Sequence, residues 1–195
     1  MKKLFEKLDY NSPVILTYAL ICTGLLILNY ITAGWLNSTL LVCWPHPSLI
    51  DPLTYLRAIL HVFGHADWSH LLNNMILLML VGPIVEEKYG SWNVALMILV
   101  NAVITAIVNG IFFNTGIIGA SGVVFMLILM SAFTNMRKGK IPISLIVVSA
   151  LYLGREIFAA IFQQDSISQM AHIVGGVVGL GCGIYYYNRK FKNAL

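Results

Sequence analysis

The feature that most restricts this chain is a succession of long apolar runs, at Pro13–Ala33, Ser69–Val85, Trp92–Phe113, Gly119–Met136, Ile141–Phe162 and Ser168–Tyr187. A bilayer core of about 30 Å is crossed by about 20 helical residues, and only backbone that satisfies its own hydrogen bonds is stable there. Six such runs in 195 residues leave no room for a large soluble domain. The expectation is an all-α fold: a polytopic membrane bundle of six transmembrane helices. It forms a single membrane domain over residues 1–195, with short cytoplasmic tails at 1–12 and 188–195. Lys2, Lys3 and Lys7 precede the first run, as they would a signal peptide. Its apolar stretch of about 21 residues exceeds the 7–15 of a cleavable segment, so it reads as an anchored helix.

Composition removes the main alternatives. Hydrophobic residues make up 58% of the chain and charged residues 10%, against about 25% charged in a soluble domain. The isoelectric point near 9.0 does not imply nucleic acid, because the net charge is only +4 and the cations gather at chain ends and in one short loop. The cysteines Cys22, Cys43 and Cys182 have no CxxC spacing, which argues against a disulfide framework or structural zinc. Cys43 is the one expected to be exposed.

The cations also orient the bundle. Lys2, Lys3, Lys7, Lys88, Arg137, Lys138, Lys140, Arg189, Lys190 and Lys192 fall on one side of the six-span arrangement. Arg57 lies opposite and Arg155 within the fifth run, beside Glu156, where the two snorkel or pair. The positive-inside rule then puts both termini in the cytoplasm and the first loop, about Gly34 to Trp68, outside. At that length the loop is expected to be partly folded.

Polar residues inside a bilayer are costly, so each needs an account. His70 lies fifteen residues before Val85, Ser121 fifteen before Met136, and His172 fifteen before Tyr187. With about 1.5 Å of rise per residue, all three reach one layer, roughly 7 Å below the outer boundary. Asn74 shares a face with His70 four residues earlier, and its amide reads as a donor directed into that layer or as a polar staple between helices. Asn73 beside it reads as a staple.

Ser121 sits in Gly116-Ile-Ile-Gly-Ala-Ser-Gly122, where the glycines imply a loop that turns helical near the serine. The first amides of that helix, including those of Ser121 and Gly122, then lie unpaired at its positive end and can stabilise an oxyanion. Gly175, Gly179 and Gly183 form a small-residue stripe below His172, on which another helix can approach closely. If the fourth run packs there, Ser121 and His172 come within bonding reach. A serine beside a neutral imidazole is an activated nucleophile. No carboxylate shares the layer, so this would be a dyad.

These residues resemble the rhomboid family of intramembrane serine proteases. The resemblance runs through Arg57, His61-Val-Phe-Gly-His65-Ala-Asp-Trp-Ser-His70-Leu-Leu-Asn-Asn74, Glu86-Glu-Lys-Tyr-Gly90, Gly119-Ala-Ser121-Gly122 and Ala171-His172-Ile-Val-Gly175. It implies that Ser121 is the nucleophile and His172 the base. His70, Asn74 and Gly122 would act at the oxyanion, with Phe125, Gly119 and Gly175 in support. It further implies a serine endopeptidase acting on transmembrane-helix substrates near their outer ends, in a bacterial plasma (inner) membrane, with no cofactor, metal or nucleic acid. Two positions depart from the family pattern. Phe125 replaces the usual tyrosine, which keeps a ring for His172 but loses a hydroxyl, and Leu56-Arg57 replaces Trp-Arg. Two other readings stay open: a rhomboid-like binder of membrane helices that does not cut, and a metal-binding membrane protein using His61, His65, His70 and His172.

Overall fold

The computed structural model describes residues 9–134, 136, 137, 140–162 and 166–192; within these, 152, 153, 155–157, 159–162, 166–168 and 190–192 are described as backbone only. The pairing expected of Arg155 and Glu156 lies outside the described side chains. Among the described residues seven α-helices follow in order: α1 (Pro13–Ile31), α2 (Pro52–Leu60), α3 (Trp68–Tyr89), α4 (Ser91–Phe112), α5 (Ser121–Phe133), α6 (Ile143–Phe162) and α7 (Ser166–Lys192). Among the described residues there is no strand, only two isolated bridges. Among the described residues four helical stretches are long and apolar enough to cross a bilayer: α1, α3, α4 and Gln169–Arg189 of α7.

α5 is the exception, and the architecture turns on it. Its 13 residues span roughly 20 Å, well short of a bilayer core. It is also apolar all round, with every residue from Gly122 to Met130 buried, as a helix enclosed by others must be. α3, α4, α6 and α7 surround it. α1 packs on α3, and α2 lies against α4. Among the described residues α6 rests on α5 and α7, with no extended contact to α3.

The glycine stripe of α7 meets α5 backbone to backbone. A methyl group on Gly175 would fall inside the van der Waals shell of the Gly122 carbonyl oxygen, and one on Gly179 would lie 2.5 Å from the Met126 carbonyl. Lipid tails are as apolar as leucine, so the association of two membrane helices rests on such close packing.

The second run continues four residues past its expected end at Val85, because Glu86 is not at an aqueous boundary. Its carboxylate is 3% exposed and accepts the Val14 and Ile15 amides at 3.0 and 2.9 Å, satisfying two orphan donors at the positive end of α1. The helix runs on to Tyr89, and Gly90 (φ +83°) alone joins it to α4. α7 likewise continues beyond Tyr187 to Lys192. The fourth run is helical only from Ser121 to Phe133, inside its expected limits.

The first loop is folded, as its length suggested. It contains a π-helical turn at Asn37–Leu41, α2, and a 3-10 turn at His61–Phe63. Cys43 is buried rather than exposed: its backbone pairs with Ile117 in both directions at 3.0 Å, which draws the thiol inward at 4% exposure. Burial pushes that thiol up to about 11, so it is an inert filler. Cys182 is the partly exposed cysteine.

Two stability outcomes are expected. Glu86→Ala should cost about 2 kcal/mol by stranding two helix amides, measured by thermal unfolding in detergent, with Glu86→Gln costing less. Gly175→Ala should cost about 3 kcal/mol by forcing α5 and α7 apart. Gly181→Ala, where an added methyl meets nothing within 4 Å, should stay within about 0.5 kcal/mol of the parent.

Candidate active site

Three elements build the site, and each is set locally. Asp67 caps α3 by accepting the His70 amide at 2.8 Å, which fixes where the His70 side chain leaves the first turn. One turn on, Asn74 is buried and its Nδ2 donates to the His70 carbonyl at 3.0 Å. That bond is within its own helix, so Asn74 is not a staple between helices through this donor, and its second N–H remains for another acceptor. Asn73 is exposed.

The second element is the loop that enters α5. Gly119 has φ +131°, and a Cβ there would lie 2.7 Å from both Cε1 and Nε2 of His70. Only glycine combines that conformation with that contact. Ala120 is the N-cap, and no side chain caps the helix. The first intrahelical bond at this end is from the Val124 amide to the Ala120 carbonyl, 2.9 Å. The amides of Ser121, Gly122 and Val123 precede it at the positive end of the helix. Ser121 itself is partly exposed.

α7 supplies the third element. Because Gly175 abuts Gly122, the turn above it brings His172 against Phe125: the two rings stack with centroids 4.1 Å apart and planes 8° from parallel. Ser121 and Phe125 are four residues apart on one face of α5, and the Phe125 side chain leans toward Ser121. His172 is also within electrostatic reach of His70. The structure therefore gathers His70, Gly119, Gly122, Phe125, His172 and Gly175 around the start of α5, with Asn74 one turn further along α3 from His70.

The first loop clamps this region from the other side. The His61 carbonyl accepts the Gly119 amide at 2.9 Å, and Gly64 gives the room in which Ile118 sits, 2.5 Å from a notional Cβ. Tyr18 on α1 donates to the Val62 carbonyl at 2.5 Å, and Asn37 donates to the His65 carbonyl at 2.9 Å. Arg57 donates through Nε to the Thr39 carbonyl at 2.8 Å, tying the π-helical turn to α2. These bonds satisfy irregular backbone that hydrocarbon could not solvate.

Behind Ser121 lies a small cavity of about 20 Å³, bordered by His61, Asn101, Thr105, Gly119 and Gly122. His61 Nε2, both polar atoms of the Asn101 amide and Thr105 Oγ1 are buried with no protein partner among the described residues. That size and polarity suit one water molecule. The sequence reading missed Asn101, Thr105 and Asn109, although their i, i+4, i+8 spacing on an apolar helix is a visible signal. Asn109 donates to the Cys43 carbonyl at 3.3 Å. Among the described residues no three His, Cys, Asp or Glu side chains converge as a metal site. The His65 and His70 rings meet edge to face at 5.0 Å.

The family profile described as Rhomboid domain matches residues 52–189, which include His70, Asn74, Ser121 and His172. The chain belongs to the rhomboid family. It is 27% identical over 172 residues to the protein named Rhomboid protease GlpG of Yersinia pestis (strain Pestoides F), covering 86% of this chain and 60% of that protein. The figures are the same for the GlpG of Yersinia pseudotuberculosis serotype O:3 (strain YPIII). Rhomboid-like protein 11, chloroplastic, of Arabidopsis thaliana is 26% identical over 133 residues, covering 60% of this chain and 48% of that protein. The chain thus spans about 60% of the length of the GlpG relatives it matches. As a rhomboid with four span-length apolar helices, it is a multi-pass membrane protein.

This rhomboid keeps two histidines neutral in its first loop. Burial lowers both His61 and His65 to about 4, and the nearby His70 adds to the effect at His65. Both bind protons less readily in the folded chain than in the unfolded one. Stability is therefore full above the ordinary histidine value of 6.5 and falls as pH drops from there toward 4. The thermal midpoint should decline across that window, and His61→Gln should flatten the decline. A midpoint level from about pH 7 to about pH 4.5 would rule out neutral burial of these histidines.

Proposed function

We propose that this chain is an intramembrane serine endopeptidase that cuts transmembrane helices of other membrane proteins through a Ser121–His172 dyad. The observation that carries this reading is the stack of Phe125 on His172, held by the Gly122–Gly175 contact. It supports an imidazole one turn above the seam, beside the hydroxyl at the start of α5. His172 takes the Ser121 proton as Oγ attacks the scissile carbonyl, then gives it to the leaving amine. Water hydrolyses the acyl-enzyme with His172 again as base. The amides of Ser121 and Gly122 face the developing oxyanion, assisted by the spare Asn74 N–H and by His70. One such donor typically contributes about 3 kcal/mol to transition-state stabilisation.

The bundle has six transmembrane segments, α1 and α3 to α7, with α5 crossing together with the loop that leads into it, in one domain over residues 1–195. Both termini are cytoplasmic, and the membrane is the bacterial plasma membrane. The Ser121 end then faces outward, so substrates are cut near their outer ends. Substrate enters between α3 and α6, the flank without extended contact among the described residues. The reaction as drawn needs no metal or cofactor.

The decisive experiment is labelling by a serine-reactive phosphonate, read by intact mass. The parent should gain one adduct that Ser121→Ala loses, and His172→Ala should slow labelling by about 10³-fold or more while the fold is kept. No adduct on folded parent protein would point instead to a rhomboid that grips membrane helices without cutting. Asn74→Ala should lower kcat while leaving KM nearly unchanged, as the loss of a transition-state donor does.

A further inference from the structure

The surface between α2 and α4 is hollow at the Ser121 end. A groove of about 610 Å³ runs between Tyr55, Ala58 and Ile59 on one side and Val103, Ile107 and Ile111 on the other. It continues into a second cleft of about 210 Å³ that shares Cys43, His46, Pro47 and Thr54 with it and adds Asp51 and Arg57. The first is apolar. The second carries one positive and one negative side chain.

From this pairing we propose a binding site for a single zwitterionic phospholipid with an amine headgroup. One acyl chain lies in the α2–α4 groove, the phosphate on Arg57 and the ammonium on Asp51. The occupant comes from the bilayer because the groove opens along α4, a span-length helix whose Ile107 and Ile111 are exposed on that flank. The charges select the headgroup. Arg57 and Asp51 meet only through Nη1 at 3.4 Å, too long for a strong charge-assisted bond. The Arg57 Nε is committed to Thr39, which leaves Nη2 without another partner among the described residues. The Asp51 side chain is 40% exposed; one of its oxygens accepts the Leu53 amide, and the other is the one facing Arg57. A phosphate and an ammonium on one headgroup complete both groups at once. An anionic headgroup would complete Arg57 and be repelled by Asp51.

α2 leads directly into His61, whose carbonyl holds the Gly119 amide. A lipid seated between α2 and α4 therefore braces the loop that carries Ser121. The binding site itself does not depend on the protease reading, and its test measures binding alone.

Delipidated full-length protein in detergent would be titrated with phosphatidylethanolamine or phosphatidylglycerol of identical acyl chains and read by native mass spectrometry. The parent should retain one phosphatidylethanolamine about threefold more tightly than phosphatidylglycerol, the effect of a partly exposed ion pair. Asp51→Asn keeps an oxygen for the Leu53 amide, since asparagine caps as well as aspartate, and should abolish or reverse that preference. Ala58→Phe fills the groove and should weaken both lipids. Equal binding of the two headgroups by the parent, or a preference that survives Asp51→Asn, overturns the proposal. So does a protein dimer that Ala58→Phe dissociates, because the groove would then be covered by a second copy. If Ala58→Phe does not fold, the Asp51→Asn comparison decides alone.

Discussion

The backbone contact between Gly122 and Gly175 is the constraint on which the rest of this molecule depends. Two membrane helices gain little by burying apolar side chains from lipid, so a lasting association must come from close approach of the backbones. α7 supplies glycine at three successive turns, and α5 answers with the carbonyls of Gly122 and Met126 and, at the third level, the Phe133 ring against Gly183. Once this seam is set, the height of α7 against α5 has no freedom left. That height brings the His172 ring onto Phe125 and sets the distance from His172 to the first turn of α5. A shift of one turn would put Gln169 or Gly176 there and dissolve the arrangement.

A short central helix creates the second requirement. α5 cannot reach the boundary on its own, so the chain from Phe113 to Ala120 must descend to it as loop, and its polar backbone must be satisfied by protein. The first loop does this through the Cys43–Ile117 pairing and the His61–Gly119 bond. This explains why so long a connector is folded, and why His61 and His65 are buried with carbonyls as partners for one ring nitrogen each. Removing the clamp would expose the entry to α5, so the loop and the short helix have to be considered as one unit.

Much of this could be read from the sequence, and the reasons for the rest are physical. Apolar runs, the glycine stripe and the Gly-x-Ser-Gly turn are local patterns whose consequences are nearly forced in a bilayer. Counting depth from Val85 places Glu86 at an aqueous edge. Glu86 instead caps α1 from 72 residues away in sequence, a long-range pairing that no local pattern discloses. The burial of Cys43 likewise depends on its pairing with Ile117, and the Asn74 bond depends on a rotamer. The row Asn101, Thr105, Asn109 was legible as a period but has meaning only once α4 is known to face the loop before Ser121.

The two ends of the bundle differ in how their buried polar groups are paired. At the Glu86 end the buried charge is matched by two helix amides, and Gly90 makes a one-residue turn between spans. At the Ser121 end the described structure leaves buried polar atoms of His61, His65, Asn101, Thr105 and Asn109 without a protein partner. A buried polar atom left unsatisfied costs about 1–3 kcal/mol, so these groups need both a water of the kind the small cavity suits and a scaffold that holds them in place. The glycine seam and the Glu86 cap provide that scaffold. Under the proposed function the same scaffold holds water and donors near Ser121, since a region that accepts polar ligands cannot also be optimally packed.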